Sequence, residues 1–139
     1  MPRLPAYPGY LWLTGVMGFS HSLAWTQYLL FQDNVAGLLP YQLVLMGTAA
    51  EVTIALCEVP TGIVADTVSR RLSVVIGLAL IGLAFGLQAA LPTLVFVAIG
   101  AVVWGLGETF ISGAREAWIA DELAAEGRPA LAGEAFARG

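Results

Sequence analysis

Glu58-Val59-Pro60-Thr61-Gly62-Ile63-Val64-Ala65-Asp66-Thr67-Val68-Ser69-Arg70-Arg71 sets a tight cluster of charge into an almost continuously apolar sequence. Such a cluster between two long apolar runs reads as an aqueous hinge joining two membrane helices, because ionised groups are costly in hydrocarbon. Working outward, residues 41–65 and 72–91 flank the hinge, and residues 10–31 and 93–113 form two further runs. Each meets the roughly 20 apolar residues that a helix needs to cross a bilayer. The apolar stretches are unbroken and their polar exceptions recur at helical spacing. A membrane β-barrel would instead show segments of about ten residues with alternating polarity. Pro40 and Pro92 fall at segment starts, where a missing backbone donor is tolerated. The expected fold is an all-α membrane protein with four transmembrane helices.

Composition supports this class. Hydrophobic residues make up 58% of the 139-residue chain and charged residues 12%, outside the range of an ordinary soluble domain. The net charge is −4, and the six basic residues are all arginines, dispersed along the chain. Neither feature supports a nucleic-acid partner. Cys57 is the single cysteine and sits in an apolar run, so it reads as a packing residue. One histidine and one cysteine do not make the usual zinc site, and there is no nucleophile elbow or phosphate-binding loop. The expectation is a non-enzyme without metal or cofactor. The first run is too long for a cleaved signal and lacks a small-residue cleavage site, so it reads as a retained span.

The arginines also orient the chain. Arg3 precedes the first run, Arg70 and Arg71 follow the second, and Arg115, Arg128 and Arg138 follow the fourth, whereas residues 32–39 carry only Asp33 and the Leu91-Pro92 turn is uncharged. The positive-inside rule places both ends in the cytoplasm: residues 1–9 as an N-terminal segment, 66–71 as a loop, and 114–139 as an extension. A bacterial-type plasma membrane is the expected location. Residues 114–123 keep a helical pattern, with Trp118 suited to the interface. After Gly127-Arg128-Pro129, a short helical start over residues 130–139 breaks off without a cap, and the chain reads as a fragment of something longer.

Ionisable groups inside spans are functional candidates by default. Glu51 and Glu58, seven residues apart, share a helical stripe with Gly47, Ala55, Gly62 and Asp66. That small, acidic face can supply either interhelical hydrogen bonds or carboxylates that exchange protons. In the fourth run Ala101, Gly105, Glu108, Ser112 and Arg115 form another stripe. Here Glu108 either pairs with Arg115 or another helix, or meets a substrate. The first run offers Thr14, Gly18, His21, Trp25 and Tyr28 on one face, with Ser22, Thr26 and Gln27 beside it, a mixture suited to a ligand cavity. His21 reads either as a proton relay or as an ordinary hydrogen-bonded histidine. The third run is apolar apart from Gln88 and is expected to face lipid. Its Gly82-Leu83-Ala84-Phe85-Gly86 has the small-xxx-small spacing of close helix contacts.

The hinge also resembles the loop signature of the major facilitator superfamily, which links the second and third transmembrane helices. Gly62, Asp66, Arg70 and Arg71 match that signature, while Thr67 and Ser69 stand where the family has a basic residue and a glycine. The resemblance spans the chain and implies part of the N-terminal six-helix half of a twelve-helix secondary carrier, with a midplane site between two halves. It further implies that a carboxylate at the end of the fourth helix, Glu116 or Asp121, meets Arg70 or Arg71, with Asp66 near a helix N-terminus. Such contacts could break as the halves rock. The implied partners are the lipid bilayer, a small organic solute, protons, and the remaining helices of the longer carrier. The function implied is solute transport, with proton-coupled efflux as one form. His21, Gln27, Glu51, Glu58, Glu108 and Arg115 are the solute or proton candidates. Two other classes fit the span count: a complete four-helix protein acting as an oligomer, similar to the small multidrug exporters, and a non-transporting membrane scaffold.

Overall fold

The computed structural model describes residues 6–138, with side chains through Ala137. Arg3, expected to mark a cytoplasmic N-terminus, lies outside the described residues, as does the side chain of Arg138. Four long helices carry the fold: α1 (Ala6–Asn34), α2 (Pro40–Thr67), α3 (Arg70–Ala90) and α4 (Leu94–Ala125). A 3₁₀ turn at Pro129–Leu131 and a short α5 (Ala132–Arg138) follow. No strand occurs among the described residues.

The connections are short, and their chemistry explains the stops. Gly37 takes a left-handed φ of 64° between α1 and α2, a conformation open to glycine without steric cost. Pro40 is the first residue of α2, and the Gln42 Oε1 accepts the Leu39 N–H at 2.8 Å. Ser69 precedes α3 and its hydroxyl accepts the Leu72 N–H at 3.3 Å, an ordinary N-cap. At the end of α4, Gly127 has φ 73°. The Gly127 and Arg128 amides there donate to Ala124 and Leu123 carbonyls at 3.0 and 2.8 Å. This is a Schellman ending.

Three helices, α2, α3 and α4, are long and apolar enough to cross a membrane. At 29 residues α1 has the length, but Ser20, His21, Ser22, Thr26, Gln27, Gln32, Asp33 and Asn34 dilute its apolar content. The loop expected over residues 66–71 is shorter in the structure. Asp66 and Thr67 continue α2 and Arg70 already begins α3, leaving Val68 and Ser69 as the connection. A charged residue at a helix end does not terminate it while hydrogen bonding and the cap remain intact. The fourth run extends well beyond residue 113 as one helix to Ala125.

The helices run alternately up and down, with α4 at the centre. At one end, Leu38, Met46 and Ala50 pack on Val97 and Ala101. At the opposite end, Ala65 of α2, Val74 of α3 and Ala114 of α4 form a second cluster. A third, also at that end, joins Tyr10 of α1 to Ile119 and Leu123 of α4 and Ala135 of α5. The start of α1, the α2–α3 connection and the end of α4 therefore lie together.

Two expectations about α3 need correction. Its face is not given over to lipid: Ser73, Val74, Gly77, Ala84 and Gln88 are buried, and α3 packs along α4. Nor do Gly82 and Gly86 make the close approach, since a Cβ on either would meet nothing within 4 Å. Gly77 does, because a Cβ there would lie 2.6 Å from the Gly107 carbonyl oxygen and 2.5 Å from the Ile111 Cγ1. Gly105 plays the same part toward α2, with the Ala50 carbonyl oxygen 2.7 Å from where its Cβ would be. Thr61 then bonds across this α2–α4 seam, its hydroxyl donating to the Thr109 carbonyl at 3.2 Å.

Candidate functional site

Two places bring sequence-predicted residues together. The first is the end of the bundle where α2 passes into α3. Arg70 stands on the first turn of α3, one helical turn beyond Asp66 across the connection, so its guanidinium reaches back to the Asp66 Oδ1 with Nη2 at 3.1 Å and Nε at 3.3 Å. Its Nη1 reaches across to the Asp121 Oδ2 of α4 at 2.7 Å. One planar cation thereby ties three helices, using the fork geometry that distinguishes arginine from lysine. The Asp66 hydrogen bond and then the Asp121 hydrogen bond raise the Arg70 pKa above its ordinary value. Asp66 meets this guanidinium, and Ser69 caps α3. Gly62 is half-buried with open space beside it. Glu116 is exposed and outside the bridge. Arg71 turns toward a cavity of about 550 Å³, shared with Trp118, Glu122 and Glu126.

The second place is the middle of the bundle, between α1, α3 and α4. Trp25 is its hub: ring centroids lie 5.6 Å from His21, 5.2 Å from Tyr28 and 5.5 Å from Trp104, all edge-to-face. Phe85 of α3 stands 6.0 Å from Tyr28. These are favourable quadrupole geometries. Beneath them lies a cavity of about 190 Å³ whose lining includes His21, Trp25, Phe85, Trp104 and Glu108. A smaller cavity of about 90 Å³ shares Trp25, Phe85 and Trp104 and adds Tyr28, Gln32 and Met46.

The polar groups around this cluster are unevenly satisfied. Tyr28 donates to the Gln88 Oε1 at 3.1 Å, and the Gln88 Nε2 donates to the Ala84 carbonyl at 3.2 Å. Gln32 is 1% exposed and its Nε2 lacks a hydrogen-bond partner among the described residues. Glu108 is half-buried, and no hydrogen bond or ion pair engages its carboxylate among the described residues. His21 and Arg115 are the basic groups within electrostatic reach of it. Of the alternatives for Glu108, a pair with Arg115 is therefore not formed, and the Arg115 Nε is buried without a hydrogen-bond partner among the described residues.

The other candidates lie apart from both places. Gln27 is exposed on α1. Glu51 and Glu58 are exposed on α2, whose buried residues are Met46, Ala50, Thr61 and Ala65. No group of three or more His, Cys, Asp or Glu residues that could hold a metal ion occurs among the described residues.

Sequence reasoning passed over Phe85, Trp104, Gln32 and Gln88 as site residues. Gln88 carried a usable signal, as the lone polar residue of an apolar helix needs a partner in the bundle. Phe85 and Trp104 carried none, since an aromatic residue in an apolar run marks no particular face.

Comparison with protein-family models, curated proteins and solved structures gave no match for this chain.

Proposed function

We propose that this chain forms four membrane spans of a secondary carrier of the major facilitator type, moving a small organic solute through the bundle, with proton exchange as the coupled process. The observation that carries this reading is the Arg70 bridge, which joins Asp66 of α2 to Asp121 of α4 at 3.1 and 2.7 Å. It unites two of the motif residues, Asp66 and Arg70, with a fourth-helix carboxylate at one end of the bundle, where a rocking motion would make and break it. In this reading α1 is the first span. Its 29 residues reach about 43 Å, and His21 and Trp25 face the central cavity. The arginine-bearing end is then cytoplasmic, and the membrane is a bacterial-type plasma membrane.

Glu51 and Glu58 support a larger assembly. Exposed carboxylates within a span are costly against lipid, so the α2 face that bears them calls for covering protein. Further helices of the same carrier would supply it. The same observation favours a second reading, in which copies of a four-helix chain cover each other.

Accumulation of labelled organic solutes in cells expressing the native gene product tests transport. Asp66→Asn is expected to slow it without preventing insertion, and unchanged kinetics would sink the rocking bridge. Intact mass separates the two assemblies: a value near three times 14.6 kDa supports the carrier, and one near 14.6 kDa supports the oligomer.

A further inference from the structure

We infer that the cavity between α1, α3 and α4 binds a small organic cation, with Glu108 as its counter-charge and Trp25, Phe85 and Trp104 as its walls. The inference deepens the carrier reading, and rests on it for taking this cavity as the solute's place.

Three observations converge on that chemistry. The cavity of about 190 Å³ is lined by three aromatic side chains, Trp25, Phe85 and Trp104, together with Met17 and Ser20. Aromatic rings present negative potential at their faces and attract ammonium groups placed within about 6 Å of the ring centroid. A methylated or alkylated ammonium suits such walls better than a sugar or an anion, since its shell is apolar while its charge is spread. Next, the single carboxylate on the lining, Glu108, is half-buried and lacks an ion-pair or hydrogen-bond partner among the described residues. A carboxylate held in a bundle without such a partner is a standing demand for a cation. Finally, neither of the two basic groups within electrostatic reach, His21 and Arg115, forms an ion pair with Glu108 among the described residues. His21 stacks edge-to-face on Trp25, and Arg115 stays beyond ion-pair distance.

Protonation of Glu108 is the competing way to satisfy the site, and it makes an opposite prediction. A neutral carboxyl among aromatic rings would favour an uncharged ligand of the same shape. Charge preference at constant shape therefore decides the matter.

The native protein in lipid nanodiscs should be titrated with choline and with its uncharged carbon isostere, 3,3-dimethylbutan-1-ol, binding being read by saturation-transfer NMR and by tryptophan fluorescence. The expected result is saturable choline binding, at least about tenfold tighter than the isostere. Glu108→Gln should erase that preference, Glu108→Asp should keep part of it, and Asp33→Asn, an exposed carboxylate outside the cavity, should leave it unchanged. Circular dichroism and thermal melting of each variant separate loss of binding from loss of fold. No saturable choline binding, equal binding of the two compounds, or an undiminished preference in folded Glu108→Gln would each overturn the assignment. Binding is measured without transport. Charge-selective binding in a protein that moves no solute would leave the site standing and remove the carrier reading, whereas transport without it would do the reverse.

Discussion

The Arg70 Nη1 donates to the Asp121 Oδ2 at 2.7 Å, fastening the first residue of α3 to the far part of α4 across 51 residues of sequence. Both carboxylates on this guanidinium are well exposed, Asp66 at 68% and Asp121 at 63%, so the bridge governs local order more than global stability. Arg70→Gln is expected to speed amide hydrogen exchange severalfold over residues 119–126 while moving the thermal midpoint little. Salt near 1 M, where the screening length is about 3 Å, should push the unmodified protein the same way. Alkali should not. Arg70 has a raised folded-state pKa, so its contribution is complete below the unfolded value and is lost only as pH climbs through the still higher folded value. Unchanged exchange in Arg70→Gln would show that the bridge holds nothing.

Gly77 and Gly82 offer a paired test of the α3–α4 contact. A methyl group at Gly77 meets the Gly107 carbonyl oxygen and Ile111, whereas one at Gly82 meets open space. Gly77→Ala should therefore cost about 1–3 kcal/mol by forcing the helices apart. Gly82→Ala should be neutral or gain up to about 1 kcal/mol from helix propensity. Unfolding in detergent mixtures reads both values, and equal losses at the two positions would contradict the packing.

Tyr28 and Gln88 form a hydrogen bond between α1 and α3 at 3.1 Å, with Gln88 only 2% exposed. Tyr28→Phe removes the donor and should destabilise by about 1 kcal/mol. Gln88→Leu alone should cost more, because its amide also bonds the Ala84 carbonyl and its side chain rests on Gly100. In a double-mutant cycle the coupling should be about 0.5–1 kcal/mol. A coupling of zero would mean that the bond contributes nothing in the membrane.

Glu51 lies on the exposed face of α2. On insertion scales an acidic residue at a helix centre is unfavourable and leucine favourable, a difference on the order of 3 kcal/mol. Glu51→Leu should raise the membrane insertion of an isolated α2, measured by glycosylation mapping, and should weaken whatever assembly covers that face, measured by native mass. If insertion does not improve, Glu51 sits outside the hydrocarbon slab.

The helices were legible in the sequence because apolar runs and prolines are local signals. Pro40 opens α2, as its chemistry dictates. The resemblance implies that Glu116 or Asp121 meets Arg70 or Arg71, and the contact that forms is Arg70 with Asp121. What stayed hidden depends on which face of a helix meets which neighbour. The stripe bearing Glu51 and Glu58 is as regular as the buried stripe through Met46, Ala50, Thr61 and Ala65, and periodicity does not choose between them. Gly82 and Gly86 fit a spacing rule, yet Gly77 makes the contact because Gly107 and Ile111 stand opposite it. Likewise, His21 and Glu108 were recognisable singly. Their shared cavity needed α1, α3 and α4 brought together, with Phe85 and Trp104 beside them.

Only Val68 and Ser69 separate the 28-residue α2 from the 21-residue α3. Two residues supply four soft torsions, too few to let one rod slip lengthwise past the other. Displacement of α2 must then travel as a swing, with a pivot at this joint and the greatest arc at the opposite extremity. Asp66 and Arg70 straddle this joint, so in a swinging motion they would act as its detent, and a small change in their grip would be magnified by the leverage of the helix beyond.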